Sequence, residues 1–122
     1  MSSLNRTFLM GNLGAAPELL LSPTGKKYTR LNLATHRISK NDIGSWESNT
    51  DWHRVTVWGQ QAENCVNYLN KGQAVLVEGY LSPYLKELEN GKNLNMVSVT
   101  AQSVEFLTKA TKKVQGDSQS ES

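Results

Sequence analysis

The chain of 122 residues has little cysteine and no long apolar run. Cys65 is its one cysteine, which excludes an internal disulfide and favours a reducing compartment. No apolar run approaches the roughly 18 residues of a membrane helix, and residues 1–6 lack the layout of a signal peptide. We therefore expect a single cytoplasmic domain without a membrane partner.

Charge of one sign is also scarce, because 13 basic residues oppose 11 acidic ones and leave a net charge of +2. A protein that holds phosphates by charge alone is usually more basic. A nucleic-acid function would therefore need a second kind of contact or several copies that pool their charge. Stacking of bases on aromatic side chains is the obvious second contact.

Clustered catalytic or metal-binding groups are missing as well. His36 and His53 lie 17 positions apart, with no cysteine or carboxylate cluster at ligand spacing. The segment GNLG at residues 11–14 lacks the lysine and hydroxyl residue that end a phosphate loop. Cys65 falls on an apolar helix face, where a cysteine is normally inert. We expect no metal, no cofactor and no enzymatic activity.

Five segments have the period-two alternation of strands, at residues 4–13, 28–35, 51–58, 74–81 and 94–100. A turn is predicted at residues 22–27, a long polar loop at 36–50 and a turn-containing connection at 82–93. Residues 60–70 change to helical spacing, with Ala62, Cys65, Val66 and Leu69 on one face. The order predicts a small all-β barrel with one helix between its third and fourth strands.

The tail is poor in apolar residues, since only Ala110 and Val114 are apolar after residue 108. Such a segment buries too little surface to fold alone. We expect a folded domain at residues 1–108 and a disordered tail at 109–122.

The third predicted strand, DWHRVTVW at residues 51–58, separates two kinds of side chain. Alternation places Trp52, Arg54 and Trp58 on one face, and His53, Val55 and Val57 on the other. Two indoles beside a guanidinium suit the bases and phosphates of a single nucleic-acid strand. The alternative is that both tryptophans fill the core. The two valines already supply core residues, and an unpaired Arg54 would be costly to bury.

Several motifs resemble those of bacterial-type single-stranded-DNA-binding proteins. They are NRTFLMGNLG at residues 5–14, LNLAT at 31–35, DWHRVTVWG at 51–59, YLNKG at 68–72 and VEG at 77–79. The likeness covers about residues 4–107. It implies a five-stranded OB-fold barrel that binds single-stranded DNA without sequence preference during replication, recombination and repair. It further implies a homotetramer, no cofactor and a location at the nucleoid.

The resemblance also guides the choice of site residues. It places stacking on Trp52 and Trp58, basic contacts on Arg54, Lys71 and Arg6, and His53 at the subunit interface. Two further family tryptophans fall on Ser39 and Lys86 here, and Trp46 and Tyr84 are the nearest aromatic substitutes. The full predicted DNA-binding set is Trp52, Arg54, Trp58, Arg6, Arg30, Arg37, Trp46, Lys71, Tyr84 and Lys86.

The last seven residues, GDSQSES, hold two acids and no terminal apolar residue. The family tends to recruit repair proteins through an acidic tip with such a residue, so recruitment by that route is not supported. Two alternatives stay open. One is a primosome-type OB module, often a dimer, that mainly bridges proteins. The other is a small enzyme that uses Cys65 or His53.

Overall fold

The structure, a computed structural model, describes residues 2–107. In these residues six strands and one helix follow one another along the chain. They are β1 (Thr7–Leu13), β2 (Leu20–Leu21), β3 (Lys27–Lys40), β4 (Trp46–Trp58), α1 (Gln60–Tyr68), β5 (Ala74–Glu87) and β6 (Asn93–Phe106).

Five long strands close into a barrel. The sheet runs β1-β5-β6-β4-β3, and β1 returns to β3 where Leu13 pairs with Leu33. All neighbours are antiparallel except β4 and β6, which pair in parallel at Val55 and Val99. With α1 between the third and fourth long strands, this is the OB-fold arrangement. The predicted all-β barrel is confirmed, and the two-residue β2 on the edge of β3 is an addition to it.

The core follows the predicted alternation of the strands. Inward side chains of β3, β4 and β5 are almost fully buried, whereas their sequence neighbours face outward. The helix covers one end of the barrel with Ala62, Cys65 and the following Leu69, all 0% exposed. The most buried large side chains are Leu31, Leu33, Val55, Val57, Leu69, Val75 and Val77.

The thiol of Cys65 belongs to this core rather than to a reactive site. Burial raises the pKa of the Cys65 thiol to about 11, so it stays protonated near neutral pH. We therefore expect native protein at pH 8 to react with a thiol reagent much more slowly than unfolded protein. A chromogenic disulfide titration with and without denaturant measures this difference. Equal rates in both states would show that the thiol is accessible.

Two segments predicted as connections are largely strand. The long loop predicted at residues 36–50 is wrong, whereas the turn predicted within residues 82–93 is confirmed at 88–92, although strands extend to it from both sides. Residues 36–50 continue β3 and β4 into a hairpin that turns at 41–45, and residues 82–93 extend β5 and β6 to a turn at 88–92. Both extensions reach beyond the core, so no side chain in residues 36–50 or 82–93 is fully buried. Without a buried face, the apolar-polar alternation that marks a strand is lost.

The helix also ends earlier than predicted. It stops at Tyr68, because Leu69 takes extended backbone angles and turns its side chain into the core. Gly72 adopts a positive φ of 91° in the turn that follows.

The predicted tail at 109–122 lies outside the described residues. Within residues 2–107, no helix is long and apolar enough to cross a membrane.

Candidate nucleic-acid interface

The ribbon formed by β3 and β4 carries the candidate site on one face. The two strands pair without a register break from Tyr28 opposite Trp58 to Lys40 opposite Trp46. Directly paired residues share a face, and so does every second residue along a strand. All three tryptophans of the chain, Trp46, Trp52 and Trp58, therefore lie on one face of the ribbon, the tryptophan face. Their six-residue spacing corresponds to about 20 Å along a strand.

These tryptophans are surface residues. Trp46 is 67% exposed, Trp52 62% and Trp58 42%, whereas Val55 and Val57 between them are completely buried. The alternation within residues 51–58 is thus as predicted, and the alternative that the indoles fill the core is excluded. Three exposed indoles in a row are unusual for an isolated surface, since large exposed apolar groups generally mark interaction sites.

Each indole has a different neighbour across the ribbon. The ring of Trp58 lies against Tyr28, with centroids 4.8 Å apart and planes tilted by 33°. The ammonium of Lys40 lies 5.1 Å from the centroid of Trp46, a cation–π contact. Trp52 is opposite the small side chain of Ala34. Its ring instead approaches the backbone of Gly14, which follows β1.

A cavity of about 360 Å³ adjoins Trp58 and brings basic and aromatic side chains together. Arg30 comes from β3, Arg54 from β4 and Tyr84 from β5. Among residues 2–107, neither arginine is in an ion pair, and Arg30 lies 5.5 Å over the ring of Tyr28. Both guanidinium groups are therefore available to an external anion. The cavity lining also includes Tyr28, Thr56, Trp58, Ser82, Pro83 and Ser98.

Two predicted arginines lie elsewhere. Arg6 pairs with Glu78 on the outer face of β1 and β5. Arg37 faces the opposite side of the ribbon from the tryptophans, where it donates to both carboxylate oxygens of Asp51 at 2.5 and 3.1 Å. These hydrogen bonds lower the pKa of the Asp51 carboxyl and raise the pKa of Arg37. Both arginines are thus separated from the tryptophan face and already have an acidic partner.

The remaining predicted residues are spread around the barrel. Lys71 is exposed in the turn after α1. Lys86 is exposed near the end of β5, two residues beyond the half-buried Tyr84 and so on the same strand face. His53, on the inner side of β4, accepts or donates a 2.9 Å hydrogen bond with the hydroxyl of Thr35.

The prediction missed Tyr28 and Gly14, which contact Trp58 and Trp52. Tyr28 had a detectable signal, since alternation puts it on the same face as Arg30. Gly14 had none, because its proximity to Trp52 arises only when β1 closes on β3. In the described part of the chain, no three His, Cys, Asp or Glu side chains lie close enough to hold a metal ion.

A closed five-stranded barrel with an exposed row of aromatic rings beside free arginines defines the class of OB-fold binding modules. The sequence model of the Single-strand binding protein family matches residues 4–107. The chain belongs to this family.

Individual relatives of the chain carry names that match this family. "Single-stranded DNA-binding protein 2" of Staphylococcus aureus is 39% identical over 104 residues, which are 85% of this chain and 72% of that protein. "Single-stranded DNA-binding protein 1" of Chlorobaculum tepidum is 38% identical over 78 residues, 64% of this chain. The aligned part is only 48% of that relative's length.

A solved structure has the same fold. The structure described as "Plasmodium falciparum SSB complex with ssDNA" superposes with a TM-score of 0.77 at 27% identity. The superposition covers 88% of this chain and 98% of the other. The five-stranded OB-fold expected from the sequence is therefore also that of a solved relative.

Proposed function

We propose that this protein binds single-stranded DNA without sequence preference and protects it during replication, recombination and repair. The observation that carries the proposal is the row of Trp46, Trp52 and Trp58 on one exposed face. Membership of the Single-strand binding protein family supports it. So does the likeness to a structure described as a complex with single-stranded DNA.

The chemistry of the face explains the ligand. Unpaired bases expose flat π-faces, and each stack on an indole is worth about 1–3 kcal/mol. Arg30 and Arg54 can pair with phosphates, and neither contact distinguishes one base from another. Paired bases in a duplex are already stacked and leave no free face for an indole. The face therefore selects single strands over duplexes without reading sequence.

Tryptophan emission provides a direct test, because all three tryptophans of the chain lie on the proposed face. Titration with an oligothymidylate should quench the emission, and added salt should weaken binding. A duplex of the same length serves as the control and should quench much less. Absence of quenching, together with no detectable binding to the oligothymidylate at low salt, would contradict the proposal.

Arg54 and Arg37, which lie on opposite faces of the ribbon, offer a matched pair of variants. Arg54→Ala removes a free charge on the tryptophan face, so the slope of log K against log salt should flatten by about 0.7. Arg37→Ala removes a charge on the other face that is already paired with Asp51, so its slope should change much less. Binding isotherms at four salt concentrations measure both slopes. A larger change for Arg37→Ala would reverse the assignment of the two faces.

We further propose that the protein assembles as a homotetramer. Within residues 2–107, one edge of β1 pairs with β5 from Thr7 to Asn12, but its other edge pairs with β3 only at Asn12 and Leu13. The β3-side edge of its earlier residues therefore has no strand partner. Outward from β1, Phe8 is 63% exposed and Met10 64%. Large exposed apolar side chains on a strand with a free edge suit contact with a second copy.

His53 lies near this edge. It hydrogen-bonds to Thr35, whose methyl carbon is 3.3 Å from the position that a Cβ on Gly11 of β1 would take. This proximity supports a role for His53 at the subunit interface. Native mass spectrometry tests the assembly: four subunits are expected. A stable dimer would favour the protein-bridging alternative, and a monomer would contradict assembly altogether.

A further inference from the structure

We propose that Gly14 is a positioning residue for Trp52, whose indole lies in the space that the missing side chain of Gly14 leaves open. The inference rests on the proposed function, because it concerns a ring assigned to base stacking. A Cβ on Gly14 would lie 2.5 Å from Cζ3 and 2.7 Å from Cη2 of Trp52. Carbon atoms in favourable contact are about 3.5–4.0 Å apart. Any side chain at position 14 therefore competes with the ring.

The backbone around Gly14 is held in place from two sides. Gly14 N–H donates to the carbonyl of Asn32 on β3 at 2.9 Å. The preceding Leu13 donates to the carbonyl of Gln73 at 3.0 Å and accepts from Gly72 at 2.8 Å, and its own side chain is only 2% exposed. A methyl group added at position 14 would therefore displace the indole rather than the backbone.

The indole of Trp52 has little else to fix its orientation. Trp58 has Tyr28 against its ring, and Trp46 has the ammonium of Lys40. Among the residues that the structure describes, Trp52 has no such ring or cation partner, and its cross-strand neighbour is Ala34. Two small residues, Gly14 and Ala34, thus leave room for the ring at this position. Because the close approach of Gly14 constrains the ring, a single methyl group at position 14 can change the ring's angle.

Alanine is a clean probe at this position. Gly14 is not among the glycines with a positive φ, so alanine adds volume without backbone strain. In a background of Trp46→Phe and Trp58→Phe, Trp52 is the only tryptophan, so excitation at a wavelength that tyrosine does not absorb reports on it alone. Gly14→Ala should shift its emission maximum in the free protein and reduce quenching by oligothymidylate. The dissociation constant should rise about 3- to 10-fold, part of the loss expected for a whole stack. Ala15→Ser, a control in the same loop, should change neither quantity.

A second background separates positioning from a general structural effect. Phenylalanine at position 52 lacks the outer indole atoms that the new methyl would meet. In a Trp52→Phe background, Gly14→Ala should therefore raise the dissociation constant less than about twofold, so the two changes should be non-additive. Equal effects of Gly14→Ala in both backgrounds would overturn the proposal, as would an unchanged emission maximum in the free protein. The latter measurement needs no DNA, so it tests the contact even if Trp52 proves to have no role in binding.

Discussion

Trp52→Ala should weaken binding of oligothymidylate by about 5- to 150-fold per subunit while the barrel stays folded, because a base stack is worth about 1–3 kcal/mol. The ring is 62% exposed, so its removal exposes little core. Trp58→Ala should weaken binding to a similar extent. It should also cost about 0.5–1.5 kcal/mol of stability, since its ring is more buried and contacts Tyr28.

Thermal unfolding and an anisotropy titration with labelled oligothymidylate measure stability and affinity separately. Anisotropy is needed because each variant removes part of the intrinsic fluorescence signal. Leu107→Ala is a suitable control. Leu107 is 44% exposed, close to the 42% of Trp58, but it lies outside the tryptophan face. If either tryptophan variant unfolds while the control does not, that indole supports the fold, and the assignment of the face is incorrect.

The tryptophan face was predictable because β4 is buried on one side within residues 51–58. Val55 and Val57 alternate with polar or aromatic neighbours there, and this alternation alone separates the core side from the solvent side. The same reasoning predicted the barrel and its helix, where Ala62 and Cys65 face the core. The kind of element is therefore predictable where one side of it is buried, even though its exact end, as in α1, is not.

It fails where burial gives no signal. Beyond the core the strands continue as hairpins without fully buried side chains, so the sequence pattern predicts a loop around Trp46. Its pairing with Lys40 places it on the tryptophan face. Ion pairing is equally invisible in a sequence. Arg37 and Arg54 look alike there, but of these two only Arg37 has an acidic partner among the described residues. Positions such as Gly14 depend on how distant strands close the barrel.

Gly79→Ala should destabilise the barrel by about 3 kcal/mol or more, at the upper end of the range for overpacked cores. A Cβ on Gly79 would lie 2.0 Å from the carbonyl oxygen of Thr100 and 2.9 Å from its carbonyl carbon. Both atoms belong to the backbone of β6, at the register shift between β5 and β6. A backbone carbonyl inside a barrel cannot rotate away as a side chain does, so the two strands must separate locally.

Urea unfolding at matched protein concentration measures the loss, because the proposed tetramer would make stability depend on concentration. Gly14→Ala is the matched control, since its methyl meets the far end of an exposed indole side chain instead of backbone. That control should lose less than about 1 kcal/mol of stability although it impairs binding. The two substitutions thus have opposite expected effects: Gly79→Ala lowers the stability of the barrel, and Gly14→Ala changes the tryptophan face. An unchanged urea midpoint for Gly79→Ala would contradict the close approach of β5 and β6.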